Sequence, residues 1–403
     1  MPNPAQIMVP SGRFLLATAV LLGCSNNGGK PALSDGGLND GAIADEATGV
    51  HVGSVSEGGP TPAVLPTLSQ LADGWNELHP GGATTCCRGT EFFFYVRPGS
   101  VNRVVVEFIG GGACWDAATC APNSGLFYDS AELTQVAIRG GNLPGFGIPL
   151  DGIYNRTRAD NPFKDWYHVV IPYCTGDLHW GNASQDYGSL HIEHRGAVNA
   201  RAVLDWLYKN FAAPEMIFAT GCSAGALGSV VWSAELMRHY TNTRVIQFGD
   251  SEAGITTPSY SNELLLWNAT AAFPSWIPSL DMTIENLSVP NLYIAIANSF
   301  PTNFMSQYDT VFDSAQPIYY RLGGGDVQTW SAQMLTSLDT IEAGARNFAS
   351  FVPPGTTHCV LFRENLYTVN VNGTKLIDWL GQLLSTGSET STRCTSDCTN
   401  PTP

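Results

Sequence analysis

A serine bracketed by glycines, set between an apolar run and a helix-forming stretch, constrains this chain more than any other feature. The run at 216–219 (Met-Ile-Phe-Ala) precedes 221–225 (Gly-Cys-Ser-Ala-Gly), and the residues that follow favour a helix. This order predicts a strand, a tight turn and a helix, with Ser223 at the apex. Flanking glycines permit a turn sharp enough to lift the serine oxygen above a sheet. Ser223 is therefore our candidate nucleophile, although such turns also serve simply as helix N-termini.

Short β-branched runs alternate with longer amphipathic stretches from residue 88 onward. Apolar residues recur at helical spacing between 195 and 211. The alternation is typical of the α/β class, a mostly parallel sheet covered by helices. We predict strands at 103–109, 167–171, 216–219, 245–248 and 292–296, and later helices at 328–348 and 374–384.

The segment 121–163 is rich in Gly, Asn, Pro and Asp and has little periodicity. We expect a loop-rich insertion over the strand ends. In an open parallel sheet the ligand crevice lies outside the carboxyl ends of the strands, where loops shape the pocket. We therefore expect this segment to influence the choice of substrate.

The N-terminus has the layout of a bacterial lipoprotein signal peptide. Arg13 precedes an apolar run at 14–22, and 21–25 reads Leu-Leu-Gly-Cys-Ser. We expect lipid on Cys24 and an exported protein, anchored to a bacterial membrane such as the outer membrane, or extracellular. An ordinary secretory signal with an incidental cysteine also implies export.

Composition divides the chain into four segments. We predict a signal peptide at 1–24, a flexible tether rich in Gly, Ser, Asn and Asp at 25–62, and a folded domain at 63–385. The tail at 386–403 is expected to be loose unless Cys394 and Cys398 pin it.

The formal net charge of −16 argues against nucleic acid as a partner and against an anionic membrane surface, because both need a basic stripe. Any membrane contact is thus expected only through lipid on Cys24.

Ten cysteines fit an oxidising compartment. We predict a Cys114–Cys120 disulfide that closes a small loop and, as a second pairing, Cys174 with Cys222. A zinc site is the alternative interpretation of these cysteines, but their spacings contain no repeated Cys-x-x-Cys pair. We expect no metal.

A serine hydroxyl is a poor nucleophile at neutral pH, so it needs a base and a carboxylate that orients the base. Two histidines follow Ser223, and His239 lies at the far end of the predicted helix. We therefore favour His358 as general base. Asp309 and Asp313 stand close together and either could orient it.

The loop at 110–114 (Gly-Gly-Gly-Ala-Cys) directly follows a predicted strand. Glycines let backbone N–H groups approach the oxyanion of a tetrahedral intermediate closely. We predict an oxyanion hole from the N–H groups of Gly112, Ala113 and Ala224. A phosphate cradle is the weaker alternative, because the Gly-x-x-x-x-Gly-Lys pattern is absent.

These motifs, in their order, resemble those of the pectin acetylesterase and Notum family. The resemblance spans 86–384 and implies an α/β-hydrolase-like fold that hydrolyses carboxylic esters with a Ser-Asp-His triad and no cofactor. It implies Ser223 as nucleophile, His358 as base and Asp313 as acid. Its motifs are the loop 110–114, Pro-Tyr-Cys at 172–174, the pentapeptide 221–225, Asp-x-x-Gln at 313–316 and His-Cys at 358–359.

The chain departs from the family in its glycine loop, where Ala113 replaces an aromatic residue and Trp115 lies two positions on. Asp177, His179 and Asp250 fall where the family has pocket-lining loops. The resemblance thus implies Trp115, Asp177, His179 and Asp250 as substrate-binding residues, although each loop could equally be a structural turn.

The expected activity is that of an exported serine esterase acting on an O-acyl group, acetyl on a polysaccharide. Alternatives are a lipase-like or thioesterase activity on longer chains, or a non-catalytic carbohydrate-binding protein of the same fold. The partner would be an acylated carbohydrate or another ester. The 10 Trp and 14 Tyr are enough to line a sugar cleft.

Overall fold

A nine-stranded sheet organises the chain in the computed structural model, which describes residues 61–143, 148–394 and 398. The predicted signal peptide, Cys24 and the tether up to residue 60 lie outside these residues. In chain order the strands are β1 (Asn76–Leu78), β2 (Phe94–Arg97), β3 (Arg103–Phe108), β4 (Tyr167–Ile171), β5 (Met216–Cys222), β6 (Arg244–Asp250), β7 (Phe304–Tyr308), β8 (Phe348–Val352) and β9 (Thr392–Arg393).

The spatial order of the strands is β1-β2-β4-β3-β5-β6-β7-β8-β9. β1 and β2 are antiparallel to their neighbours, whereas all other pairs are parallel. The α/β prediction of a mostly parallel sheet with helices is therefore confirmed. The central strands β3, β5 and β6 are almost entirely buried, which explains why their sequences read as continuous apolar runs.

Eight α-helices belong to the described part of the chain. The helix α3, which follows the serine, packs against β5 and β6 and also contacts α5. Within these residues, no helix has both the length and the apolar character needed to cross a membrane. The helices are α1 (Glu132–Gly140), α2 (Gly196–Asn210), α3 (Ala224–His239), α4 (Tyr260–Leu266), α5 (Val289–Ser299), α6 (Gln316–Leu322), α7 (Trp330–Gly344) and α8 (Leu376–Thr386).

The strand predicted at 292–296 was wrong, because these residues lie inside α5. Ser288 is the N-cap, and its side chain accepts a hydrogen bond from the backbone N–H of Asn291. Pro290 occupies the first turn, where its missing N–H costs nothing. These helix-start signals outweigh the strand preference of the apolar run. The next parallel strand of the sheet after β6 is β7, which follows α5 in the chain.

The tail from residue 386 was predicted to be loose unless Cys394 and Cys398 pin it. Thr392 and Arg393 form β9, which pairs in parallel with β8. The Arg393 guanidinium donates to Asp339 and Glu342 of α7, each at 2.6 Å. Cys394 and Cys398 form a disulfide. The chain is thus fixed to the sheet edge as far as residue 394.

The Cys114–Cys120 disulfide is confirmed, but the pairing of Cys174 with Cys222 was wrong. The observed bonds are Cys86–Cys174 and Cys222–Cys359, and Cys87 is free and buried. The reason is topological, since β3 lies between β4 and β5. Two strand spacings, about 9.6 Å, exceed the limit of about 7 Å between the Cα atoms of a disulfide.

Candidate active site

Ser223 occupies the one-residue turn between β5 and α3. Its backbone has φ 54° and ψ −124°, a conformation that non-glycine residues rarely adopt. Its N–H donates to the carbonyl of Asp250 at 2.8 Å, which ties the turn to the end of β6. Strain of this kind persists where the surrounding structure enforces it, and it is common at functional sites.

The two glycines of the pentapeptide are required by close backbone approach. A Cβ at Gly221 would overlap the carbonyls of Gly225 and Phe108, and one at Gly225 would overlap the carbonyl of Phe108. The turn therefore sits directly against the end of β3, where the glycine loop begins.

His358 lies in the loop after β8 and contacts Asp313 in the loop after β7. Its Nδ1 lies 2.9 Å from Oδ2 and 3.0 Å from Oδ1 of that carboxylate. Burial lowers the pKa of His358, but the hydrogen bond and the charge of Asp313 raise it, and the net pKa lies above its ordinary value. The backbone N–H groups of Ala315 and Gln316 donate to Asp313 Oδ1 and hold the carboxylate.

Asp309 does not share this arrangement. Its side chain is fully buried, and its Oδ1 accepts a hydrogen bond from Gln316 Nε2 at 2.9 Å. Burial raises the pKa of Asp309 well above its usual range. Of the two aspartates that the sequence left open, Asp313 is the one hydrogen-bonded to His358.

The three residues of the predicted oxyanion hole lie beside Ser223. Gly112, Ala113 and Ala224 border the same cavity as the serine. Among the described residues, neither the Gly112 N–H nor the Ala224 N–H donates to a protein acceptor, whereas the antiparallel bridge between Gly112 and Phe127 turns the Ala113 N–H toward the carbonyl of Leu126. Buried backbone N–H groups are almost always paired. The unpaired donors of Gly112 and Ala224 beside Ser223 are consistent with the predicted oxyanion hole, whose assignment stays a prediction.

Gly112 shows why this loop needs glycine. It adopts φ +76°, and a Cβ there would overlap the carbonyl of Leu126 and the hydroxyl of Tyr319. The loop is therefore held closely against 125–128 of the predicted insertion.

Two cavities of different size meet at Ser223. The small cavity has a volume of about 100 Å³ and is also bordered by Gly112, Ala113 and Ala224. The large cavity has a volume of about 560 Å³ and also contains His358. Ten of the nineteen residues that line the small cavity have aromatic or larger aliphatic side chains, namely Trp115, Leu178, Leu227, Ile255, Val289, Tyr260, Trp267, Tyr319, Tyr320 and Trp330.

The large cavity is bordered by the insertion that the sequence placed over the strand ends. Phe127 and Tyr128 come from the loop before α1, and Ile138 comes from α1 itself. Phe362 and Arg363, in the chain that follows His358, also border this cavity.

Of the four predicted substrate-binding residues, Trp115 borders the small cavity. Asp177 and His179 border neither cavity, which corrects their prediction as substrate contacts. Asp177 is buried, its Oδ2 accepts from the N–H of Gly196 at the start of α2, and burial raises its pKa to about 6. His179 is also buried, and its Nε2 lies 2.9 Å from the carbonyl oxygen of Ile109.

Asp250 requires the same correction, since it too borders neither cavity. It is buried, and its Oδ2 accepts hydrogen bonds from the N–H groups of Val360 at 2.8 Å and Leu361 at 2.9 Å. Asp250 thereby holds the chain that follows His358 rather than facing the cavities.

The Cys222–Cys359 disulfide is a feature of the site that sequence reasoning missed. It joins the residue before Ser223 to the residue after His358, across 137 positions of the chain. The available signal was the position of each cysteine directly beside a candidate catalytic residue. The bond couples the serine turn to the histidine loop.

The structure brings histidine and cysteine together in two places among the described residues, namely Cys222, Cys359 and His358, and Cys114, Cys120 and His194. In both, the two cysteines form a disulfide with each other. Their sulfur atoms therefore do not serve as thiolate ligands for a metal.

Sequence comparison finds a match to the pectinacetylesterase family over residues 79–267. Pectin acetylesterase 11 of Arabidopsis thaliana is 30% identical over 151 residues, which are 36% of this chain and 36% of that protein. Palmitoleoyl-protein carboxylesterase notum2 of Xenopus laevis is 25% identical over 177 residues, 42% of this chain and 34% of that protein. The match thus spans about a third of each relative.

Structural comparison extends the similarity beyond that region. A structure of the Wnt deacylase Notum from Drosophila superposes with a TM-score of 0.58 at 20% sequence identity, covering 77% of this chain and 93% of that one. A second crystal form gives a TM-score of 0.55 at 19% identity, with 79% and 94% covered. At this identity the likeness establishes the shared α/β-hydrolase-like fold.

Proposed function

We propose that the chain is a member of the pectinacetylesterase family, whose model matches residues 79–267, and that it is a serine ester hydrolase that removes short acyl groups, acetyl foremost. The observation that carries the proposal is the pair of unequal cavities meeting at Ser223. We assign the acyl group to the small cavity, because all three residues of the predicted oxyanion hole border it, whereas of the three only Gly112 also borders the large cavity. The large cavity would take the alcohol portion, because it contains His358.

In the proposed mechanism, Ser223 Oγ attacks the ester carbonyl while His358 Nε2 accepts the hydroxyl proton. Asp313 accepts the Nδ1–H hydrogen bond and stabilises the imidazolium. The carbonyl oxygen becomes an oxyanion that the N–H groups of Gly112, Ala113 and Ala224 stabilise. The C–O bond then breaks, and the alcohol leaves with the proton from His358. Water, deprotonated by His358, attacks the acyl-enzyme and releases the carboxylic acid and Ser223.

Cavity size favours a short acyl group. An apolar protein cavity of about 150 Å³ accommodates benzene. The small cavity, at about 100 Å³, suits a group smaller than that ring. A chain of sixteen carbons would need several times this space. This argues against the long-chain alternative, although one group of relatives is named for a palmitoleoyl ester.

The alcohol portion is proposed to be a sugar of a polysaccharide. Support comes from the aromatic side chains of Phe127, Tyr128 and Phe362 around the large cavity, since such surfaces pack against the apolar faces of sugar rings. Four disulfides agree with the proposed export, because disulfides persist in oxidising compartments. Lipid anchoring through Cys24 rests on the sequence pattern alone.

A series of p-nitrophenyl esters from acetyl to palmitoyl tests the proposal. We expect acetyl to give the highest kcat/KM, with a fall of about tenfold or more by hexanoyl, because a misfit of one methylene already changes discrimination about 10- to 200-fold. A maximum at octanoyl or longer would favour the lipase-like alternative. Absence of hydrolysis for every ester would favour the carbohydrate-binding alternative.

A further inference from the structure

Glu252 places a carboxyl group in the wall of the small cavity. It lies two residues beyond the end of β6 and borders the cavity together with Ser223. Its Oε1 accepts a hydrogen bond of 3.1 Å from the N–H of Gly254, two residues along the chain. Among the described residues this is its one hydrogen bond, so the second carboxyl oxygen has no protein donor.

The neighbours of this carboxyl are mainly apolar. Leu227, Ile255, Val289 and Trp330 border the same small space. Glu252 is half-buried, and a polar group withdrawn from water among such side chains costs free energy unless it is hydrogen-bonded. Burial accordingly raises the pKa of Glu252 to about 7, against the lowering effects of the Gly254 N–H and of His358.

Neither catalysis nor folding accounts for this placement. Asp313 already provides the hydrogen bond to His358, and Glu252 makes none to that histidine among the described residues. The other carboxylate of the cavity differs, because Glu263 accepts a hydrogen bond of 2.5 Å from Ser259. Glu252 is therefore the acid whose position lacks a structural explanation.

We infer that Glu252 is a specificity-determining residue, whose carboxyl group restricts the small cavity to short acyl chains. The inference rests on the proposed function of Ser223. An acetyl group fits beside the carboxyl, whereas a longer alkyl chain must displace it or bury it without a hydrogen-bond partner. Both the bulk and the polarity of the group contribute.

Two replacements of Glu252 test the inference by the ratio of kcat/KM for hexanoyl ester to that for acetyl ester. Glu252→Ala removes bulk and polarity, and Glu252→Leu replaces the polar group with an apolar one of similar size. We expect the ratio to rise by about tenfold or more in both, the scale on which one methylene is discriminated. Glu252→Gln keeps bulk and polarity, and its ratio should stay near that of the unchanged protein.

Glu235→Ala is the matched control, because Glu235 accepts a hydrogen bond from Trp276 and borders neither cavity at Ser223. Its ratio should not change. The inference is overturned if the ratio stays the same in Glu252→Ala and Glu252→Leu, or if Glu235→Ala raises it equally. Thermal unfolding identifies a variant that fails to fold. If Glu252→Ala or Glu252→Leu fails to fold, the ratio measured for the other of these two variants tests the inference. Failure of the proposed function is separable, since it is measured on the unchanged protein, which would then hydrolyse none of the esters or would hydrolyse octanoyl and longer esters fastest.

Discussion

Replacing Ser223 by alanine is expected to lower kcat for an acetyl ester by about 10⁵- to 10⁶-fold, the scale of nucleophile loss in a comparable triad. The substitution removes the Oγ that forms the acyl-enzyme and adds no bulk at the turn. Initial rates, measured together with a thermal unfolding curve, separate loss of chemistry from loss of fold.

The matched control is Ser233→Ala on the same helix, where the hydroxyl donates only to the carbonyl of Val230. This variant should keep its activity. If Ser223→Ala retained activity within about tenfold of the unchanged protein, covalent catalysis by this serine would be ruled out, because triad losses are far larger.

Asp313→Asn is expected to lower turnover by about 10⁴-fold, since the amide favours the wrong imidazole tautomer. The pH profile should change as well. A general base works only when neutral, so activity falls as pH drops below the pKa of His358, which lies above its ordinary value of 6.5. Without the charge of Asp313 that pKa falls, and the acid limb should move to lower pH.

Asp309→Asn is the control for this prediction. The amide can keep the hydrogen bond that Asp309 accepts from Gln316, and Asp309 makes no hydrogen bond to His358 among the described residues. We expect little change in turnover or in the acid limb. If instead Asp309→Asn were the severely impaired variant, the orienting role would belong to Asp309.

The sequence predicted those parts of the fold that depend on consecutive residues. The strands β3, β4 and β5 were predicted because buried parallel strands read as continuous apolar runs. The same criterion failed at 292–296, since a short apolar run does not distinguish a strand from a buried helix. There the N-cap at Ser288 and the proline in the first helical turn favour the helix α5 over a strand.

The same distinction between local and long-range features applies to the residues of the candidate site. Ser223 and the loop at 110–114 could be predicted, because glycines mark unusual backbone conformations locally. The residues alone did not show which of Asp309 and Asp313 is hydrogen-bonded to His358. The direction of each side chain depends on how the loop after β7 folds. The Cys222–Cys359 bond depends on contact between residues 137 positions apart.

The polar residues that follow strands were the weakest predictions. Asp177 and Asp250 both accept hydrogen bonds from backbone N–H groups, at Gly196 and at Val360 respectively. A carboxylate at a strand end satisfies such donors as readily as it contacts a ligand. The amino-acid sequence does not distinguish a carboxylate that accepts backbone hydrogen bonds from one that contacts a ligand.

Covalent labelling of the full-length protein with diethyl p-nitrophenyl phosphate tests the central claim, that Ser223 is an activated nucleophile. Attack by Oγ on phosphorus expels p-nitrophenolate and leaves a diethylphosphoryl ester that peptide mass spectrometry can locate. We predict one adduct, on the peptide containing Ser223, with loss of esterase activity in proportion to labelling, and no adduct in Ser223→Ala. An unlabelled but folded protein, or an adduct on a different residue that accounts for the lost activity, would contradict the claim.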